Sequence, residues 1–173
     1  MTAKTVLIPG SFDPFHNGHL DVVETSSRLF DGVIIAPIRN PQKTTAMFDL
    51  EERREMIRES VAHLDNVKIE FFATLTVDVA RQLGADVLVK GLRQPSDFEY
   101  ELVQAQMNMA ISGIGTIFIP CASESSFIAS SLVRDIARFG GAERVRSFVP
   151  EPVFRRLLEK FPAEKSDGGD HDG

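Results

Sequence analysis

The run Thr5-Val6-Leu7-Ile8-Pro9-Gly10-Ser11-Phe12-Asp13-Pro14-Phe15-His16-Asn17-Gly18-His19 passes from an apolar stretch through a turn into an amphipathic one. Thr5-Val6-Leu7-Ile8-Pro9 reads as an apolar strand. Gly10 lets the backbone come close to a ligand, and Pro14 stiffens the loop. Gly18 and His19 then open a helix whose unpaired amides and positive dipole end favour an anion, with His19 at the edge of that site. From Gly18 to Phe30 the spacing of Leu20, Val23 and Phe30 predicts one buried stripe.

The same alternation runs through the rest of the chain. Val33 to Ile38 reads as a second strand and Arg39 to Ala46 as a basic loop. Asp49 followed by Glu52 resembles a capping box, opening a charged helix that ends near Leu64. Val67 to Phe72 reads as strand three, Val77 to Leu83 as a helix stopped by Gly84, and Asp86 to Lys90 as strand four. Ser96 and Glu99 resemble a second capping box before a helix reaching Ile111. Thr116 to Pro120 is the fifth strand. Ser130 or Ser131 can cap a helix from Leu132 to Phe139, which Gly140 and Gly141 end. A final helix, Glu151 to Phe161, precedes Ala163 to Gly173, a tail with nothing to bury.

Five apolar strands alternating with helices indicate an α/β domain with a mainly parallel sheet and right-handed crossovers. The alternation does not give strand order. The polar and glycine-rich segments follow strands one, two, four and five, so they share the carboxyl edge of the sheet, where open α/β sheets bind ligands.

At 173 residues and 43% hydrophobic content the chain fits one globular domain. Its net charge of -6 argues against a general nucleic-acid surface, so an anionic ligand has to be met by a local patch. The single cysteine, Cys121, excludes an internal disulfide and a multi-cysteine metal site, and fits a reducing cytoplasm. No stretch approaches transmembrane length. These features predict a soluble cytoplasmic protein.

His16-Asn17-Gly18-His19 resembles the (H/T)xGH signature of the nucleotidylyltransferase superfamily. GSFDP before it, MFDLEER from Met47 to Arg53, KGLR from Lys90 to Arg93 and DFEYE from Asp97 to Glu101 extend the resemblance to the bacterial phosphopantetheine adenylyltransferase family, over almost all the chain up to Phe161. Together with the alternation of elements, this implies a Rossmann-like open parallel five-stranded sheet with helices on both faces. A single nucleotidylyltransferase domain spans residues 1–162, with a disordered tail from 163 to 173.

The resemblance implies transfer of the adenylyl group of ATP to 4′-phosphopantetheine, giving dephospho-coenzyme A and pyrophosphate. It implies His19, Lys43 and Arg93 as catalytic. Ser11 lies between the substrates, Lys43 and Lys90 hold the acceptor phosphate, and Thr76 contacts the pantetheine arm. The ATP positions are Ser11, Phe12, His19, Gly91, Leu92, Arg93, Glu101 and the segment Ser125, Ser126, Phe127, Ile128, Ala129, Ser130 and Ser131. Mg²⁺ accompanies ATP, held mostly by phosphate oxygens and water, with no protein metal site. A homohexamer is implied as well, acting on no nucleic acid and no membrane.

Other readings stand beside these. His16 and Asn17 can form a simple turn into the helix, Ser130 and Ser131 can serve as N-caps, and Glu101 can be an exposed helix residue. Met107, Met109 and Ile111 can pack into the core or against another subunit. The rival functions are a nucleotidylyltransferase for nicotinate mononucleotide or a cytidine nucleotide, and a nucleotide sensor without turnover. A cytidylyltransferase is expected to carry an RTxGIST-like segment where this chain has Ser125 to Ser131. A sensor needs phosphate grip but not His19, Lys43 and Arg93 together.

Overall fold

The computed structural model describes residues 4–38, 46–72 and 74–162. Lys43 and the expected tail, 163–173, lie outside the described residues. The strands are β1 (Thr5–Gly10), β2 (Gly32–Pro37), β3 (Val67–Ile69), β4 (Val87–Leu92) and β5 (Gly115–Pro120). The helices are α1 (Asn17–Leu29), α2 (Leu50–Ser60), α3 (Thr76–Leu83), α4 (Pro95–Ser112), α5 (Ser130–Gly140) and α6 (Glu151–Lys160), with a 3₁₀ segment over Ala142–Phe148.

All five strands are parallel, in the order β3-β2-β1-β4-β5. The chain winds outward from central β1 in one direction through β2 and β3, then returns to start β4 on the other side. The crevice where the winding reverses lies between β1 and β4, above their carboxyl ends. Strand alternation splits the core in two. Val6, Ile8, Val33, Ile35 and Val89 face α1, α2, α5 and α6, whereas Leu7, Ile34 and Leu88 face α3.

Several local expectations are corrected. The third strand stops at Ile69 and leaves only an isolated bridge between Ile38 and Phe72. The expected stripe of Leu20, Val23 and Phe30 does pack on the core, Leu20 and Phe30 only partly buried, but the fully buried positions of α1 also include Gly18, Val22 and Ser26, whose hydroxyl is satisfied by Val22 O at 2.7 Å. The Asp49 and Glu52 capping box is formed, but the helix it opens ends at Ser60. Ser96 caps nothing: α4 starts one residue earlier, with Pro95 in its first turn, where a fixed φ and a missing N–H cost nothing. Neither Ser130 nor Ser131 is the N-cap of α5. That position is Ala129, and the Ser130 hydroxyl donates instead to Pro14 O at 3.0 Å.

Candidate active site

The loop between β1 and α1 is fixed from beneath by a buried carboxylate. Asp13, 2% exposed, accepts the amides of Met47 and Phe48, each at 3.0 Å. Arg53 Nε and Arg134 Nη1 stand 3.7 and 3.9 Å from its oxygens, and Arg134 also donates to the Asp13 carbonyl. A charge this deep needs such partners. Above it, Phe12 adopts a left-handed backbone, φ 46°, and folds its ring into the space a side chain at Gly10 would need. A Cβ at Gly10 would meet that ring at 2.8 Å.

His16, the N-cap of α1, lies under His19 with ring centroids 3.6 Å apart, and its backbone N–H donates to His19 Nδ1 at 3.2 Å. The rings of Phe12 and Phe15 enclose His19 at 4.9 and 5.5 Å. Burial, followed by the Arg93 charge, lowers the His16 pKa to about 3. Burial, followed by His16 and Arg93, holds His19 well below the usual histidine value, although its ring keeps an edge open to the cavity. Both imidazoles are therefore neutral at pH 7. With Nδ1 of His19 accepting, the proton sits on Nε2, and the ring offers a neutral N–H donor.

The cavity at the β1/β4 crevice holds about 510 Å³. Of the residues singled out from the sequence, Ser11, Phe12, His19, Lys90, Gly91, Arg93, Glu101, Ala129, Ser130 and Ser131 line it. Leu92, Thr76, Ser125, Ser126, Phe127 and Ile128 are outside its lining. Thr76 opens α3. Ser125 is buried, its hydroxyl bonded to Asp21 and to Ala122 O. Ser126 donates to Ser123 O, Phe127 packs edge-on against Phe148, and Ile128 is buried with its carbonyl 3.3 Å from Arg93 Nη1.

The two cations at the end of β4 are each matched by a carboxylate of α4. Arg93 bonds Asp97 through its backbone N–H and its guanidinium, at 3.0 to 3.2 Å. Burial pushes the Asp97 carboxyl up, but the Arg93 bonds and charge outweigh it and hold the pKa below the ordinary value. Lys90 Nζ stands 3.2 Å from Glu101 Oε2, an oxygen that is buried and makes no well-aligned hydrogen bond. The first turns of α1, α4 and α5 all reach the cavity through Gly18, Ser96 and Ser130. Phosphate-bearing ligands suit such a wall of helix starts.

Sequence reasoning gave no site role to His16, Asp97, Tyr100 or Cys121, all of which line the cavity. Two carried a usable signal. Asp97 is four residues after Arg93, the spacing of a helical ion pair, and His16 is three before His19, hence on the same side of a helical turn. Cys121 follows β5 directly, its Sγ 3.6 Å from Gly18 O, and burial, then the charge of Asp21, pushes its thiol pKa up. Among the described residues no cluster of His, Cys, Asp or Glu is arranged to hold a metal ion. No described helix is long and apolar enough to cross a membrane.

Residues 7–136 match the family model described as cytidylyltransferase-like. Two Synechococcus proteins named phosphopantetheine adenylyltransferase are 50% and 49% identical over 157 residues, covering 90% of this chain and 97% of theirs. A Gloeobacter violaceus protein of the same name is 49% identical over 156 residues, covering 90% of this chain and 95% of its own. Among solved structures, a putative nicotinate-nucleotide adenylyltransferase from Vibrio parahaemolyticus superposes with a TM-score of 0.63 over 91% of this chain and 99% of that one. At 19% identity that likeness is one of fold alone.

Proposed function

The chain belongs to the phosphopantetheine adenylyltransferase family, within the cytidylyltransferase-like nucleotidylyltransferases, and we infer that it joins the adenylyl group of ATP to the phosphate of 4′-phosphopantetheine. Dephospho-coenzyme A and pyrophosphate are the products, a step of coenzyme A biosynthesis. The observation that carries this reading is the meeting, in one cavity, of a neutral His19 donor with Lys90 and Arg93.

The chemistry asks for charge control more than proton transfer. A phosphate monoester has its second pKa near ~6, so the acceptor is already mostly a dianion at neutral pH and needs no general base. Its obstacle is the triphosphate it must approach. Two unit charges at ~4 Å in an effective dielectric of ~20 repel by roughly 4 kcal/mol. Lys90 is assigned to the acceptor phosphate and Arg93, with Ser130 and Ser131, to the β and γ phosphates of ATP. Lys43 is assigned to the acceptor as well, from sequence. His19 donates from Nε2 to the α-phosphate oxygen as negative charge gathers there, a preorganised contact of roughly 3 to 4 kcal/mol. No covalent enzyme intermediate is required.

Mg²⁺ bound with ATP would neutralise part of the triphosphate charge. Asp97 and Glu101, the carboxylates that line the cavity, are already committed to Arg93 and Lys90, so the ion is assigned to phosphate oxygens and water. The cytoplasm is the compartment we assign, in keeping with one free cysteine.

A homohexamer is supported by two separate apolar faces. Helix α4 has no buried residue over its 18, and Val103, Met107 and Ile111 are exposed. Leu132, Ile136 and Phe139 form a second exposed stripe along α5, at helical spacing. A closed assembly of dihedral symmetry uses two kinds of contact, and single exposed patches do not call for two.

The deciding measurement is pyrophosphate release from ATP with phosphopantetheine as acceptor, beside nicotinate mononucleotide. Release with the first alone is expected; release only with the second would replace the substrate.

A further inference from the structure

Arg53 takes no part in the reaction described above, yet it is 5% exposed and reaches from α2 to the loop that carries the site. Its Nε donates to Phe48 O at 2.8 Å and its Nη1 to Ser11 O at 3.1 Å, with Asp13 as its counter-charge. The Ser11 carbonyl belongs to the peptide that leads into Phe12, the residue held at positive φ. A phenylalanine adopts that conformation only where its surroundings impose it. The Phe12 ring, 3% exposed, stands edge-on to His19 at an interplanar angle of 84°. A continuous mechanical line therefore runs from Arg53 through the Ser11 carbonyl and the Phe12 ring to the imidazole.

Its anchor is firm on the far side too. Helix α2 is tied to α6 by Glu52 to Lys160, Glu55 to Arg156 and Glu59 to Arg155, and Lys160 lies over the Phe48 ring at 4.8 Å. The guanidinium thus works from a braced helix onto a strained turn. A planar fork can hold two carbonyls at once, which an ammonium on a flexible stem does not do.

We propose that Arg53 is a positioning residue for His19, fixing the Ser11–Phe12 peptide so that the Phe12 ring holds the imidazole in one orientation and one tautomer. The proposal rests on the reading that His19 donates to the α-phosphate, but it makes a claim about the ring itself that can be measured without turnover.

The test is NMR of the histidine ring nitrogens in the full-length enzyme, with steady-state kinetics, for wild type and Arg53→Lys. In wild type the His19 ring is expected as a single tautomer, protonated at Nε2, that takes up its second proton only well below the usual histidine range. In Arg53→Lys, which keeps the charge and loses the fork, the ring is expected to exchange between tautomers. Its kcat should fall by ~10 to 100-fold, with KM for both substrates within ~3-fold, the pattern of a misplaced group. A folded Arg53→Lys with an unmoved His19 and kcat within ~2-fold of wild type overturns the proposal. Should that variant fail to fold, Phe12→Leu removes the ring without touching the buried charges; a disturbed His19 tautomer is expected there, and an undisturbed one overturns the proposal. If Arg53→Lys disturbs the ring while His19→Ala stays fully active, the positioning stands and the chemical role given to His19 falls.

Discussion

The backbone N–H of His16 donates to Nδ1 of His19 across 3.2 Å while the two rings lie nearly parallel, 21° apart. While the ring is held in line with it, this bond settles which nitrogen of His19 carries the proton, and the stacking disfavours charge on both imidazoles at once. The site is thereby built for a neutral donor, the form that loses nothing when an anion leaves.

Stability should depend on pH through these rings. Their folded pKa values lie below the unfolded value near 6.5, so the unfolded chain binds protons that the native chain refuses. The stabilisation is complete above pH ~6.5 and is lost as pH falls toward about 3 for His16, at up to ~1.4 kcal/mol per pH unit for each histidine. Between pH 6.5 and 5 the melting temperature of wild type should drop, and that of His16→Gln should drop about half as steeply. Asp97, depressed below an ordinary value of 3.8, acts only in a lower window. Parallel curves for the two proteins would mean that the rings protonate freely.

Turnover should follow the acceptor rather than the enzyme. Because the pKa of His19 is held well below the usual histidine value, the decline of kcat/KM on acidification should begin as the phosphate monoester takes its second proton near pH ~6. His19→Ala should cost roughly 100 to 1000-fold in kcat with the fold retained, the magnitude of a lost oxyanion donor. Unchanged turnover would remove the role assigned to the ring.

The sheet was legible because parallel strands covered on both faces are written as unbroken apolar runs, as in Val33-Ile34-Ile35, and because all but the third are followed by a polar or glycine-rich segment. Strand order was not, since a crossover can pass to either side of β1 without changing the sequence pattern. The turn at the edge of the cavity could be read from Gly10 to His19, where glycine, proline and a helix start follow one another in the sequence. The cap of α5 could not: Ser130 has the right residue type, but its hydroxyl finds Pro14 O from another part of the chain. Likewise a pattern of exposed apolar residues on α4 looks, in sequence, like any helix that packs inward.

Lys90 and Glu101 give a prediction with two separable parts. Lys90→Met should raise KM for phosphopantetheine by ~10 to 100-fold, the worth of a charge-assisted contact of about 1.5–3 kcal/mol. It also leaves the half-buried Glu101 carboxylate without its partner at 3.2 Å, so melting should fall as well. Adding Glu101→Gln should restore the melting temperature but not the KM. Recovery of both would make the lysine structural.

Gly91 sits where β4 passes under α1, and a Cβ there would meet Val22 Cγ2 at 2.8 Å. Gly91→Ala should therefore lift α1 from the sheet and cost about 1–3 kcal/mol, with kcat falling because His19 rides on the same helix. Val22→Ala in the same chain reopens the space. The double variant should regain activity over Gly91→Ala alone, measured by pyrophosphate release; a fully active Gly91→Ala would show that the helix tolerates the shift.

Met107, 60% exposed on a helix with no fully buried residue, tests the assembly. In an isolated chain Met107→Glu exchanges one exposed, helix-favouring residue for another and should change stability by no more than about 0.5 kcal/mol. Within a hexamer the same carboxylate has to leave water on every copy, so the complex should fall to smaller species. Light scattering after gel filtration should then give six chain masses for wild type and fewer for the variant, whose melting temperature should depend less on protein concentration than that of wild type. A wild-type chain that elutes with a single chain mass at micromolar concentration would remove the hexamer, and would leave the apolar faces of α4 and α5 in need of another partner.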